Sequence, residues 1–116
     1  MIRVEVVQGH DVGRVFESAD EKVTVGRATN VTVQLSDHHL SGEHGMIFQE
    51  GDQYIYRDLR STNGSMLMRG NKRVVLDGAD CWETIIKDGD RLLLGDAASP
   101  VILLCKLDAD EAEEEK

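Results

Sequence analysis

Residues 57–65 read Arg-Asp-Leu-Arg-Ser-Thr-Asn-Gly-Ser, and the interpretation of this stretch decides the fold. Taken alone, Asn63-Gly64 is a turn signal, because both residue types tolerate positive φ and a type I′ hairpin asks for two such residues in succession. The flanks are strand-like. In Gln53 to Asp58 the residues alternate, so that Tyr54, Tyr56 and Asp58 share one face while Gln53, Ile55 and Arg57 share the other. A second β-type run, Ser65 to Arg69, follows directly.

The same grammar extends in both directions. Short β-type runs recur at Arg3–Gln8, Gly13–Ser18, Val23–Gly26, Val31–Leu35, His44–Gln49, Glu83–Ile86, Arg91–Leu94 and Val101–Leu107. They are separated by turn chemistry such as Gln8-Gly, Glu50-Gly-Asp, Arg69-Gly-Asn, Asp77-Gly and Asp88-Gly-Asp, with almost no apolar repeat near 3.6 residues. The chain is predicted to be all-β. Many short strands at this spacing close most economically as a two-sheet β-sandwich of about ten to eleven mostly antiparallel strands. Val74-Val-Leu76 reads either as an edge strand or as a loop packed down by Trp82.

With 116 residues and 41% hydrophobic content, the chain has room for one core. Residues 1–107 are expected to form the domain, and 108–116 an acidic tail or a linker to a following domain, which would make this an amino-terminal module. The net charge is −9, of which residues 106–116 hold −4, from six carboxylates and two lysines. So acidic a chain, with five aromatic residues, is a poor nucleic-acid binder, since that task needs several cations on phosphates and rings for stacking. Its apolar runs fall far short of the roughly 20 residues of a membrane helix, and no secretory leader is evident. Cys81 and Cys105 have no metal-type spacing and read as reduced thiols. A cytoplasmic protein is expected, without cofactor and monomeric as an isolated domain.

Three further pieces change the meaning of the opening stretch. Gly26-Arg27 closes a strand, Ser41-Gly-Glu-His44 precedes the next, and Asp58-Leu-Arg-Ser-Thr-Asn-Gly64 follows, with thirteen residues between Arg27 and Ser41 and eighteen between His44 and Asn63. In this order the set resembles the forkhead-associated (FHA) domain, from about Val4 to Leu107. The resemblance implies a twisted two-sheet sandwich of the SMAD-like class and a noncatalytic module that binds phosphothreonine peptides. The partner it implies is a phosphothreonine-containing protein, a Ser/Thr kinase or its substrate among them. An alternative is the same fold used as a scaffold or self-association module with an idle phosphate site.

The residue types suit an anion site. A guanidinium offers a planar fork that matches phosphate oxygens, which assigns Arg27. Ser41 brings a hydroxyl donor and Gly42 a backbone N–H. By resemblance, Thr62 contacts the phosphate or the threonine methyl through its side chain or its N–H, and the Asn63 amide holds the peptide main chain. Gly26, His44, Asp58, Ser61 and Gly64 are expected to shape the loops, Asp58 and Ser61 by bonding local N–H groups. His39 stands where some family members carry a basic residue, and Asp96 lies in the loop Gly95–Pro100 that resembles a second specificity segment. A histidine is mostly neutral at pH 7, so selection for acidic peptide residues should be weak or pH-dependent. Arg60, Arg69, Lys72 and Arg73 would add a local positive field if they surround the pocket.

Two other chemistries compete for the same residues. A hydrolase built on Ser41 and His44 lacks a third member to orient the imidazole. A metal site from His38, His39 and His44 with Asp37 is disfavoured because adjacent residues of an extended segment point apart.

Overall fold

The computed structural model describes residues 1–20, 22–77 and 82–107. Cys81 and the acidic segment 108–116 lie outside the described residues. Eleven strands form: β1 (Ile2–Gln8), β2 (Val15–Ser18), β3 (Lys22–Gly26), β4 (Val33–Gln34), β5 (Gly45–Glu50), β6 (Gln53–Asp58), β7 (Ser65–Arg69), β8 (Lys72–Leu76), β9 (Glu83–Ile86), β10 (Arg91–Leu94) and β11 (Val101–Leu107). No helix occurs among the described residues, so none is long and apolar enough to cross a membrane.

Period-two burial explains why these runs are strands. β1 buries Ile2, Val4 and Val6, and β11 buries Val101, Leu103, Cys105 and Leu107. The two pair antiparallel with Ile2 opposite Leu107, Val4 opposite Cys105 and Val6 opposite Leu103, so one register turns both apolar sets to the same side. The six-stranded sheet runs β2-β1-β11-β10-β7-β8, and the five-stranded sheet runs β4-β3-β5-β6-β9. All the pairings are antiparallel except β3 with β4. Between the sheets, Leu67, Leu92, Leu94 and Leu103 of one face Val23, Val25, Ile47 and Tyr56 of the other in a single apolar cluster. Full burial of such side chains contributes about 1.5–3 kcal/mol each.

Several expectations shift. Asn63-Gly64 is no hairpin turn, because β6 and β7 belong to different sheets, and in this stretch only Arg60 (φ 60°) and Gly64 (φ 81°) take positive φ. A type I′ turn would need it at both central residues. The expected strand Val31–Leu35 shortens to Val33–Gln34, and β2 starts at Val15 because Gly13, at φ 97°, turns its N–H back onto the Val6 carbonyl. The ambiguous 74–76 segment is part of edge strand β8, while Trp82 serves another loop: its carbonyl accepts the Asp58 N–H at 2.7 Å and its ring lies under Arg60.

Arg69 does not join a surface cation cluster. Its Nε and Nη2 donate to the two oxygens of buried Asp90 at 2.8 and 2.6 Å, a bidentate pair that ties β7 to the β9–β10 connection. Cys105 is a free, buried thiol, pushed up to about 12 by burial and by Asp90 and Asp88, and is therefore unreactive.

Because Leu103 is fully buried at the centre of the sheet-to-sheet contact, Leu103→Ala is expected to lower the unfolding free energy by about 2–5 kcal/mol. Urea unfolding measures this, and a change below about 0.5 kcal/mol would contradict the packing described.

Candidate functional site

Three loops meet at one end of the sandwich, and the backbone stitches them before any side chain acts. After β3, Arg27 N–H donates to the Ser41 carbonyl and Ala28 N–H to the Gly42 carbonyl, both at 3.1 Å. His44 N–H returns to the Val25 carbonyl at 2.8 Å, and Leu59 N–H donates to the His44 carbonyl at 2.9 Å. This close apposition needs Gly26, where a Cβ would overlap the Gly42 carbonyl. Gly42 has no such need, since a Cβ there would meet only Ala28 at an ordinary 3.7 Å. What it brings is a backbone N–H with no partner among the described residues.

His44 binds the loops from within. It is completely buried, its Nδ1 accepts the Ser41 N–H at 3.1 Å, and its Nε2 donates to the Gly64 carbonyl at 2.8 Å. The geometry fixes the neutral tautomer carrying hydrogen on Nε2. Burial holds its pKa below the ordinary 6.5, against the raising influence of the Gly64 carbonyl and of Asp58. With both ring nitrogens engaged, the imidazole is neither a base for the Ser41 hydroxyl nor a metal ligand.

Beneath it lies a chain of hydroxyls. Tyr56 OH donates to Ser65 Oγ at 2.8 Å, and Ser65 Oγ donates to Asp58 Oδ1 at 2.7 Å. Asp58 also accepts the Ser61 hydroxyl at 2.6 Å and the Ser61 N–H at 2.8 Å, while Ser61 Oγ accepts the Gly64 N–H at 2.9 Å. The Asp58 carboxylate therefore winds residues 58–64 into a fixed turn. Tyr56 reaches this position across Gly45, where any Cβ would overlap its phenol.

On this frame sit the residues singled out by the sequence. Arg27 is exposed and anchored by its Nε on the Leu40 carbonyl at 3.0 Å, and its terminal nitrogens have no carboxylate partner among the described residues. Ser41 Oγ accepts the Thr62 N–H at 3.0 Å, which leaves the hydroxyl hydrogen free to donate. Thr62 thus has only its side chain to offer, its N–H being engaged. Asn63 Nδ2 donates to the His39 carbonyl at 2.8 Å, and its Oδ1 has no partner among the described residues.

The two specificity candidates lie close by. His39 is exposed, with its N–H and Nδ1 at 2.8 and 3.1 Å from Asp37 Oδ1. Burial would raise the Asp37 carboxyl, but the hydrogen bonds from the His39 N–H and ring hold it below its usual range. A carboxylate so near offsets any positive charge that His39 presents outward. The Gly95–Pro100 loop approaches the same place, for Gly95 (φ 90°) has room for a Cβ only at 3.2 Å from Leu40 and 3.3 Å from His39. Asp96 caps its own turn through Oδ1, which accepts the Ala98 N–H at 3.1 Å.

Tyr56, Ser65 and Gly45 support the site without being singled out by the sequence, and Asp37, weighed there only as a metal ligand, holds His39 instead. Their signal is faint, because a tyrosine on the inward face of a strand and a serine after Asn-Gly suit any β-protein.

Against known proteins, the FHA domain family model matches residues 23–95. FHA domain-containing protein FhaB of Mycobacterium tuberculosis is 33% identical over 64 residues, 55% of this chain, and so is its counterpart in Mycolicibacterium smegmatis. The match spans 41% of the length of those relatives. Among solved structures, an Arabidopsis thaliana FHA domain is similar with TM-score 0.75 and 23% identity, covering 91% of this chain and 84% of that one. The amino-terminal FHA domain of Saccharomyces cerevisiae Rad53p, in complex with a phosphothreonine peptide, is similar with TM-score 0.72 and 21% identity, covering 99% and 98%.

Two outcomes are expected. Gly26→Ala should cost about 1–3 kcal/mol or more and loosen the loops, whereas Gly42→Ala should stay within about 0.5 kcal/mol. Equal effects in thermal melts would contradict the geometry. For His44, the folded state binds fewer protons than the unfolded chain below the unfolded value of 6.5. Its contribution to stability is therefore full above that pH and is lost as pH falls through the depressed folded value. Melting curves between pH 7.5 and 5 should show this loss, and His44→Gln should flatten the dependence while lowering stability throughout.

Proposed function

The chain belongs to the FHA-domain family, and on that premise we propose that it is a noncatalytic module that docks onto phosphothreonine-bearing partners in signalling, a Ser/Thr kinase or a kinase substrate. One observation carries the reading. Arg27, Ser41 and Asn63 are each fastened on one side to the loop frame, and each keeps an unused donor or acceptor at the same end of the sandwich.

The roles follow from that arrangement. Arg27 takes two phosphate oxygens with its terminal nitrogens, and Ser41 donates its hydroxyl to a third. The Gly42 N–H adds a neutral donor. Thr62 lines the pocket with its methyl and hydroxyl. Asn63, restrained by His39, offers its Oδ1 and remaining N–H to the peptide main chain. Prepositioning matters because every side chain fixed in advance is one fewer to order on binding. Discrimination of phosphothreonine from phosphoserine rests on one methyl group, worth about 1–3 kcal/mol in a shaped pocket, so selectivity is finite.

The engagement of both His44 nitrogens away from the Ser41 hydroxyl supports recognition over hydrolysis. The free thiol Cys105 suits the reducing cytoplasm, where we place the protein.

Hydrogen bonds to charged groups contribute about 1.5–3 kcal/mol each, so Arg27→Ala should weaken binding by well over tenfold. Calorimetry at pH 7.5 with matched phosphothreonine, phosphoserine and unphosphorylated peptide libraries tests this. Binding that requires the phosphate, prefers phosphothreonine and vanishes in Arg27→Ala is expected. A folded wild type that binds none of them would leave the fold as a scaffold with an idle site.

A further inference from the structure

The outer face of the six-stranded sheet carries an apolar row where a water-facing antiparallel sheet is normally polar. The registers Val75–Met66, Met66–Leu93 and Leu93–Ile102 align these four residues across β8, β7, β10 and β11. The burial patterns of these strands turn the neighbouring positions to the core and these four outward. Val75 is 49% exposed, and the other three are half-buried. Alongside runs Met68, flanked in register by Arg73 and Arg91. An apolar strip with a polar border is the usual mark of a protein contact.

The strip is continuous with the phosphate-site loops. At its near end it sinks into a hollow of about 210 Å³ whose wall Asn63 shares with Met66, Val75, Leu93 and Ala97. That volume is below the roughly 300 Å³ at which small-molecule sites begin, so the hollow suits a side chain rather than a cofactor. Three inter-strand steps of about 4.8 Å make the row about 14 Å long, a span that about four residues of extended chain cover. A segment held at Asn63 reaches the hollow first and Ile102 last.

We propose that the phosphorylated partner's own chain, on leaving Asn63, crosses this row and sets two alternate aliphatic side chains on it, one in the Met66–Val75–Leu93 hollow and one against Ile102. The inference rests on the docking reading above and adds a second, phosphate-independent anchor borne by strands instead of loops. Alternation follows from the two-residue period of an extended segment, whose intervening side chains face solvent. The two methionines suit such a surface, since an unbranched thioether repacks around aliphatic groups of differing shape.

The test is a phosphothreonine peptide library randomised on both sides of the phosphate, in long and truncated forms, bound to the wild type, Val75→Lys and Leu93→Lys. Val75→Thr, a small change at an exposed position, serves as a variant that leaves the strand intact, and NMR spectra check that each protein is folded. The expected result is selection of Leu, Ile, Val or Met at two alternate positions on one side. Each anchor removed by truncation should weaken binding by about tenfold. Val75→Lys and Leu93→Lys should erase the selection while leaving phosphate dependence intact, with Val75→Thr reducing it. Phosphothreonine binding without aliphatic selection, or selection that survives both lysine variants, overturns the second anchor and spares the docking reading. Failure of the wild type to bind any phosphopeptide overturns both.

Discussion

The site depends on one buried neutral imidazole. His44 accepts a backbone N–H from the loop before β5 and donates to a backbone carbonyl of the loop before β7, and these loops enter different sheets. One backbone bond, Leu59 N–H to the His44 carbonyl, joins them at their base, and strand pairing goes no further because the chain there is crossing from one sheet to the other. A side chain with one donor and one acceptor on opposite edges of a rigid ring spans the gap, and burial keeps it in the uncharged form that both bonds require. The Asp58 cluster then fixes the second loop from below, so Ser41, Thr62 and Asn63 stand in set positions on an internally hydrogen-bonded frame.

Strong net negative charge is compatible with binding an anion because the field that matters is local. Three carboxylates near the loops are committed elsewhere: Asp58 to hydroxyls, Asp37 to His39 and Asp96 to its own turn. The terminal nitrogens of Arg27 have no carboxylate partner among the described residues, and the Ser41 hydroxyl and Gly42 N–H of the neighbouring loop are neutral donors. At physiological ionic strength the remaining charges are damped beyond about 8 Å, so acidic residues elsewhere on the domain repel a phosphate only weakly. The pairing of half-buried Arg69 with buried Asp90 removes one of the cations that lie near the pocket residues in sequence.

Legibility varied with the range of the interaction. The strands β1, β5, β6, β7, β9, β10 and β11 were readable within a residue or so, since alternation and turn chemistry are local. The β-type run Val31–Leu35 extends on both sides of Val33–Gln34, the two residues that actually pair with β3. The Asn63-Gly64 pair by itself suits a hairpin, but local φ preference says nothing about whether the next strand pairs back or, as here, crosses to the other sheet. Tyr56 and Ser65 carried no sequence mark, as their role exists only once Gly45 lets the phenol pass over it.

The sequence by itself determined the all-β class, the single core and the family, because residue order and spacing along three loops are enough to match a family pattern. Only the tertiary structure decided how those residues are held: which nitrogen of His44 bears the proton, that the Thr62 N–H is already taken by Ser41, that Asn63 leans on His39, and that Val75, Met66, Leu93 and Ile102 form one row. Each of these joins residues far apart in the chain through a contact of about 3 Å or a strand register, and such contacts are set by how the two sheets pack rather than by any local preference of the residues involved.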